Sequence, residues 1–134
     1  MPDSNLTQKR VVIVGDGSLF DVGITKLLTQ RTNLLVSHTI FFDDIAFLNA
    51  IKRDQPNMIL MCESVSLEPE DVIASISIDP IVIGLCIFVV RLSSPIIDVY
   101  ERPILNAGKI SHRPRSIIAR TTNDLIEILR ESIR

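Results

Sequence analysis

The sequence predicts an α/β fold, a doubly wound five-stranded parallel sheet wrapped by helices, and three observations carry that expectation. Short aliphatic runs at residues 11–14, 58–61 and 81–87 lack polar alternation, as strands buried on both faces do. Stretches with apolar residues at helical spacing separate these runs, so strand and helix alternate, which calls for right-handed crossovers. The composition is 46% apolar and rich in Ile, Leu and Val, with five Phe, one Tyr and no Trp. That balance suits a helix-wrapped sheet better than an all-β sandwich.

Residues 11–28 read as a strand, a tight turn and a helix. The strand VVIV runs into Gly15-Asp16-Gly17, Ser18 is the expected N-cap, and Asp21 makes the first turn acidic. Phe20, Ile24, Leu27 and Leu28 supply the apolar stripe. A second strand is expected over 34–36. The next helix covers 43–53, with Ile45, Leu48 and Ile51 on one face and Lys52 and Arg53 suited to its C-terminal dipole; Gln55-Pro56-Asn57 stops it. The third strand, 58–61, ends at Cys62-Glu63-Ser64. Pro69 suits the first turn of a helix whose stripe is Val72, Ile73 and Ile76, and Asp79-Pro80 breaks it. Residues 81–87 are the fourth strand, and Phe88-Val89-Val90 beyond it is either core or an exposed apolar patch.

The last third is less regular. Residues 91–108 hold Pro95 and Pro103, leaving room for one short or broken helix, over 96–100 or 104–107. The fifth strand is 110–112 or 116–119, the second being favoured. Asn123 or a Thr before it caps a final helix through Ile133, with Leu125, Ile126, Ile128, Leu129 and Ile133 as its apolar face. Residues 1–9 read as a polar tail and 10–134 as a single domain.

A formal charge of −2 gives no global attraction to nucleic acid or membrane. Two cysteines, Cys62 and Cys86, are too few for a disulfide scaffold, and no signal-peptide pattern opens the chain. The longest apolar run, 81–90, is about half what a membrane span needs. A soluble cytoplasmic protein is therefore expected.

Two stretches carry a family resemblance. Residues 15–23 read Gly-Asp-Gly-Ser-Leu-Phe-Asp-Val-Gly, and residues 56–62 read Pro-Asn-Met-Ile-Leu-Met-Cys. Both resemble the receiver domain of two-component response regulators, in the branch attached to LuxR-type DNA-binding domains (the LuxR/NarL type). In that branch the first loop has paired acidic residues followed by His-Pro-Leu-Phe-x-x-Gly, and Leu19, Phe20 and Gly23 fall in register. The second stretch matches the run of Pro-Asp and aliphatic residues that leads to the phosphorylated Asp. The resemblance covers roughly 9–87 and, loosely, the last helix. It implies a flavodoxin-like sheet with strand order 2-1-3-4-5, here with an irregular segment between strands 4 and 5.

Departures from the family pattern define the functional expectation. Receivers hold Mg²⁺ with the acidic pair and the acceptor Asp, and contact the phosphoryl group with a hydroxyl residue after strand 4 and a Lys after strand 5. At the matching positions this chain has Gly15, with Asp16 alone surviving, Cys62 as acceptor, Leu85 or Cys86 for the hydroxyl, and Ala119, Arg120 or Arg113 for the Lys. A thiol is a soft ligand poorly matched to Mg²⁺. The expected pocket of Gly15, Asp16, Cys62, Leu85, Cys86 and Arg120 is thus degenerate, and no metal, cofactor or catalytic residue is expected.

Other readings fit the same residues less well. Asp16 reads as a turn residue between glycines, and G-x-G without a third glycine is a weak dinucleotide signal. Glu63 reads as a solvated loop acid, since alternation in a strand aims it away from the acceptor position. Arg102, Lys109, Arg113, Arg115 and Arg120 form a basic run around His112, with no acidic residue between Arg102 and Arg120. It is either a solvated loop or a docking site for an acidic protein partner.

The expected function is a non-enzymatic pseudo-receiver, a protein–protein interaction module in two-component or transcriptional signalling. Its partner would be a regulator or a kinase, docked at 91–120, with no direct nucleic-acid or membrane binding. The resemblance also admits a homodimer. Two alternatives are phosphorylation at a non-standard residue such as Glu63 or a Ser, and a thiol switch through Cys62 and Cys86.

Overall fold

A computed structural model describes residues 9–133 apart from 78, 83, 92, 102, 103, 107, 108 and 112–114. In chain order the elements are β1 (Arg10–Gly15), α1 (Leu19–Arg31), β2 (Leu35–Ile40), α2 (Asp44–Asp54), β3 (Met58–Cys62), α3 (Pro69–Ile76), β4 (Cys86–Val90) and β5 (Ile96–Glu101). A short hairpin, β6 (Ile104–Asn106) with β7 (Lys109–Ser111), precedes β8 (Arg115–Ile118) and α4 (Thr122–Ile133).

The main sheet has the order β2-β1-β3-β4-β5-β8. Its first four strands are parallel, which agrees with the expected 2-1-3-4 core. Two-sided burial explains the uninterrupted aliphatic runs: in β1, Val11, Val12, Ile13 and Val14 are all fully buried. Side chains alternate between two cores. Val11 and Ile13 of β1, Leu60 and Cys62 of β3 and Phe88 of β4 pack beneath α1 and α4 through Ile24, Leu28, Leu125 and Leu129. Val14, Ile59, Met61, Ile87 and Val89 pack beneath α2 and α3 through Phe47, Ile51, Val72, Ile73 and Ile76.

Local signals set the helix ends. Asp43 caps α2 by accepting the Ala46 N–H at 2.7 Å, and Gln55 ends it in the left-handed region at φ 49°. Pro69 occupies the first turn of α3. Thr121 and Asp124 form a reciprocal cap on α4: the Thr121 hydroxyl accepts the Asp124 N–H at 3.1 Å, and Asp124 Oδ2 accepts the Thr121 N–H at 3.2 Å.

The second half corrects the expected parallel sheet. The fourth strand is Cys86–Val90, not 81–87. Residues before it are consumed in turns, with the Val82 N–H bonded to Asp79 O and the Leu85 N–H to Val82 O, while Gly84 takes φ 99°. Phe88, Val89 and Val90 are therefore strand core. Residues 96–100, one of the places reserved for a helix, form β5, antiparallel to β4. Residues 91–95 cannot make the crossover that parallel pairing requires, so the chain turns back as a hairpin. Residues 104–106, within the other candidate helix, are β6. The favoured fifth strand exists as β8, but β5 lies between it and β4. The second strand extends to Ile40, beyond the expected 34–36.

Phe88→Ala removes the ring of a fully buried residue that packs in the α1/α4 core. It should cost about 3–5 kcal/mol of unfolding free energy, read from urea denaturation.

Candidate functional site

The carboxyl ends of β1, β2, β3 and β4 share one edge of the sheet, the place where open α/β sheets bind ligands. Alternation divides the polar groups there into two clusters on opposite faces.

On the α1/α4 face the central group is Asp21, in the first turn of α1 and 1% exposed. Its Oδ2 accepts the Gly17 N–H at 3.1 Å and lies 2.5 Å from His38 Nε2 on β2, while Oδ1 accepts the Ser18 hydroxyl at 2.9 Å. Burial opposes ionisation of Asp21, but the hydrogen bonds from His38, Ser18 and Gly17 outweigh it and hold the carboxyl below its ordinary value. Ser18 is the N-cap residue without a side-chain capping bond, because its hydroxyl is spent on Asp21. Asp16 is exposed and accepts the Ser18 N–H at 3.0 Å, as expected of a turn residue.

Gly15 explains the arrangement. A Cβ there would lie 2.4 Å from the Asp21 Cγ. A side chain at position 15 and the Asp21 carboxylate therefore compete for one space, and α1 fills it. The carboxylate beside the end of β1 therefore comes from the helix.

Cys62 ends β3 on this face and is 1% exposed. Burial first, then the nearby carboxylates of Asp21 and Asp16, push its thiol up to about 12. It stays protonated at neutral pH, which suits neither a nucleophile nor a metal ligand. Among the described residues no group of three or more His, Cys, Asp or Glu is arranged to hold a metal ion.

On the α2/α3 face the hub is Arg91, immediately after β4. Its Nη1 donates to Glu63 Oε2 at 2.7 Å, and its Nη2 donates to Asp98 Oδ2 on β5 at 2.7 Å and to Glu70 on α3. Asp98 Oδ1 also accepts the Ser116 hydroxyl of β8 at 3.0 Å. One guanidinium thus ties together the β3 end, α3 and β5. Desolvation opposes its charge, but the bonds to Asp98 and Glu70 raise its pKa further above the ordinary arginine value. Glu63 is correspondingly an ion-paired residue rather than a solvated loop acid.

The structure separates several residues that the sequence reading joined. Leu85 precedes β4 and Cys86 opens it, paired with Met58, so both lie at the amino end. The carboxyl end of β4 is Val90, paired with Cys62, and Arg91 follows it. Cys86 thus sits four residues along the ladder from Cys62, about 13 Å, and the two cannot form a disulfide without moving the backbone. Arg120 follows β8, is exposed, and is removed from the pocket by the intervening β5. In the basic run, Lys109 opens β7 and Arg115 opens β8, whereas Arg102, His112 and Arg113 lie outside the described residues.

Sequence reading missed His38, Arg91, Glu70 and Asp98 as site residues, and took Asp21 only for an acidic first-turn residue. The available signal was Gly15 itself: a glycine ending an aliphatic strand marks a close approach by another group.

The chain matches no family model. No curated protein matches it either. Among solved structures, HypX from Aquifex aeolicus superposes with a TM-score of 0.57 and 12% identity, over 93% of this chain and 28% of that one. The signal receiver domain described as that of the response regulator NarL from Mycobacterium tuberculosis superposes with a TM-score of 0.46 and 21% identity, over 63% of this chain and 66% of that one. The chain spans little more than a quarter of HypX, and that likeness is one of fold. Among the described residues no helix is long and apolar enough to cross a membrane.

Gly15→Ala should destabilise the protein by about 2 kcal/mol or more in chemical denaturation, because the added methyl displaces Asp21 from its hydrogen bonds. The lowered pKa of Asp21 means that its contribution to stability is present above its unfolded value near 3.8 and is lost as pH falls through the folded one. Asp21→Asn should flatten the fall in stability as the pH drops below that unfolded value.

Proposed function

We propose that this chain is a receiver-like signalling module that has lost aspartyl phosphorylation and works by binding a protein partner. The observation that carries the reading is Cys62, a buried, protonated thiol at the end of β3, where the resembled family has its acceptor carboxylate. The parallel order β2-β1-β3-β4 is the frame that the resemblance implies. Two further features support a module without phosphotransfer. The carboxylate near the end of β1 is engaged by His38, Ser18 and Gly17, so its lone pairs serve the fold rather than a metal. The cation after β4 already contacts three carboxylates and is not held open for a phosphoryl group.

Recognition is the remaining role for such a domain. In ordinary receivers phosphorylation shifts a two-state surface built from the elements after strand 4. Here that region is rebuilt as β5, a hairpin and β8. The Arg91 network ties α3 to β5 without any covalent signal. The partner site in this reading is 91–120, with Arg115 and Arg120 exposed on it.

Incubation with Mg²⁺ and acetyl phosphate, followed by intact mass, should leave the mass unchanged. A phosphoryl adduct on Glu63 or a serine would overturn the reading. Cys62 should resist alkylation in the native protein at neutral pH and react on unfolding; rapid native labelling would instead favour a thiol function. Arg115→Glu with Arg120→Glu should weaken capture of the cognate partner at least tenfold in a titration, since two exposed charges are reversed.

A further inference from the structure

We propose that two copies of this chain pair through β2, antiparallel about a two-fold axis at His38, so that their sheets become one. The inference stands apart from the fate of the phosphorylation pocket.

β2 is an edge of the sheet, with β1 as its neighbour among the described residues. Natural edge strands are usually protected by Lys, Pro, a bulge or short length. β2 has none of these: its six residues, LVSHTI, contain no Lys, Arg, Asp, Glu or Pro, and it pairs with β1 over six consecutive positions without a bulge. The opposite edge, β8, carries Arg115.

Hydrogen bonding says which groups remain for a partner. The Leu35 N–H donates to Lys9 O and the Phe41 N–H to Gly15 O, both at 2.9 Å. By the period of two, Ser37 and Thr39 also face β1, and the backbone groups of Val36, His38 and Ile40 point outward. Another strand satisfies such a row better than a side-chain surface does.

The sequence of β2 matches itself in reverse. Antiparallel pairing centred on His38 places Val36 opposite Ile40 of the second copy, Ser37 opposite Thr39, and Leu35 opposite Phe41. Apolar faces apolar and hydroxyl faces hydroxyl, with no Lys, Arg, Asp or Glu on either strand, and each His38 imidazole at the axis is held by Asp21 of its own chain. The central pair is a hydrogen-bonded one, so the outward N–H and C=O of His38 bond to their own equivalents. Apolar area is available around the axis: Leu35 is 43%, Ile40 45% and Phe42 79% exposed. This self-match commits the edge to a second copy, an isologous contact that closes after two chains.

Sedimentation of the 134-residue chain over a concentration series tests the proposal. The wild-type chain should dimerise. Ser37→Lys with Thr39→Lys sets like charges opposite each other twice and should raise the dimer dissociation constant at least about tenfold. Ser37→Lys with Thr39→Glu sets opposite charges face to face and should restore the dimer, with far-UV circular dichroism confirming that both variants fold. A wild-type chain that stays monomeric to about 1 mM overturns the proposal. So does a Lys/Lys variant that dimerises as well as wild type, or a Lys/Glu variant that remains monomeric.

Discussion

Burial of β1, β3 and β4 on both faces is the constraint from which the rest of the structure follows. Strands without a wet face must satisfy their backbone within the sheet and divide their side chains between two cores. Helices α1 and α4 cover one core and α2 and α3 the other. Polar chemistry is thereby kept to the ends of these three strands and to β2 and β5 beside them. There a step of one residue is a step to the other side of the sheet. Cys62 faces α1 and α4, whereas Glu63 meets Arg91 on the side of α3. Arg91 is therefore turned away from the thiol, whose pKa is raised by burial and by the carboxylates of Asp21 and Asp16.

The two clusters are built for different kinds of stability. Asp21 is almost fully enclosed and bonded to a backbone N–H, a hydroxyl and an imidazole, which is the condition under which a buried carboxylate is tolerated. The Arg91 cluster is half open, with Glu70 45% exposed, so water and salt screen part of its attraction. Its value is geometric: one planar, multi-donor group fixes three elements at once. The network links β4, α3 and β5 through one side chain.

Replacing a crossover helix by the β4–β5 hairpin has a further consequence. β5 is half-polar by alternation, with Ile97 and Val99 turned to the α1/α4 core and Asp98 and Tyr100 to the other side. It widens the sheet and moves β8 one position outward, so Arg120 is carried away from Cys62. At the other end, β2 remains an uncharged edge.

The sequence by itself determined the parallel core, because continuous aliphatic runs and helical stripes are local, periodic signals, and it placed Pro69 in the first turn of α3, whereas Asp43 and Thr121 emerged as caps only in the structure. It also placed Cys62 at the end of the third strand, since the aliphatic run that it closes is continuous. The tertiary structure alone decided where the fourth strand begins, because an apolar run reads the same in turns such as those closed by the Val82 and Leu85 N–H groups as in a strand. It alone decided that 96–101 is a strand, since pairing with β4 is non-local. It alone brought Asp21 to His38 and Arg91 to Glu63, Glu70 and Asp98, residues 17, 28, 21 and 7 positions apart. Such contacts carry no sequence period; they arise from sheet register and from the empty space that Gly15 leaves for a carboxylate from the neighbouring helix.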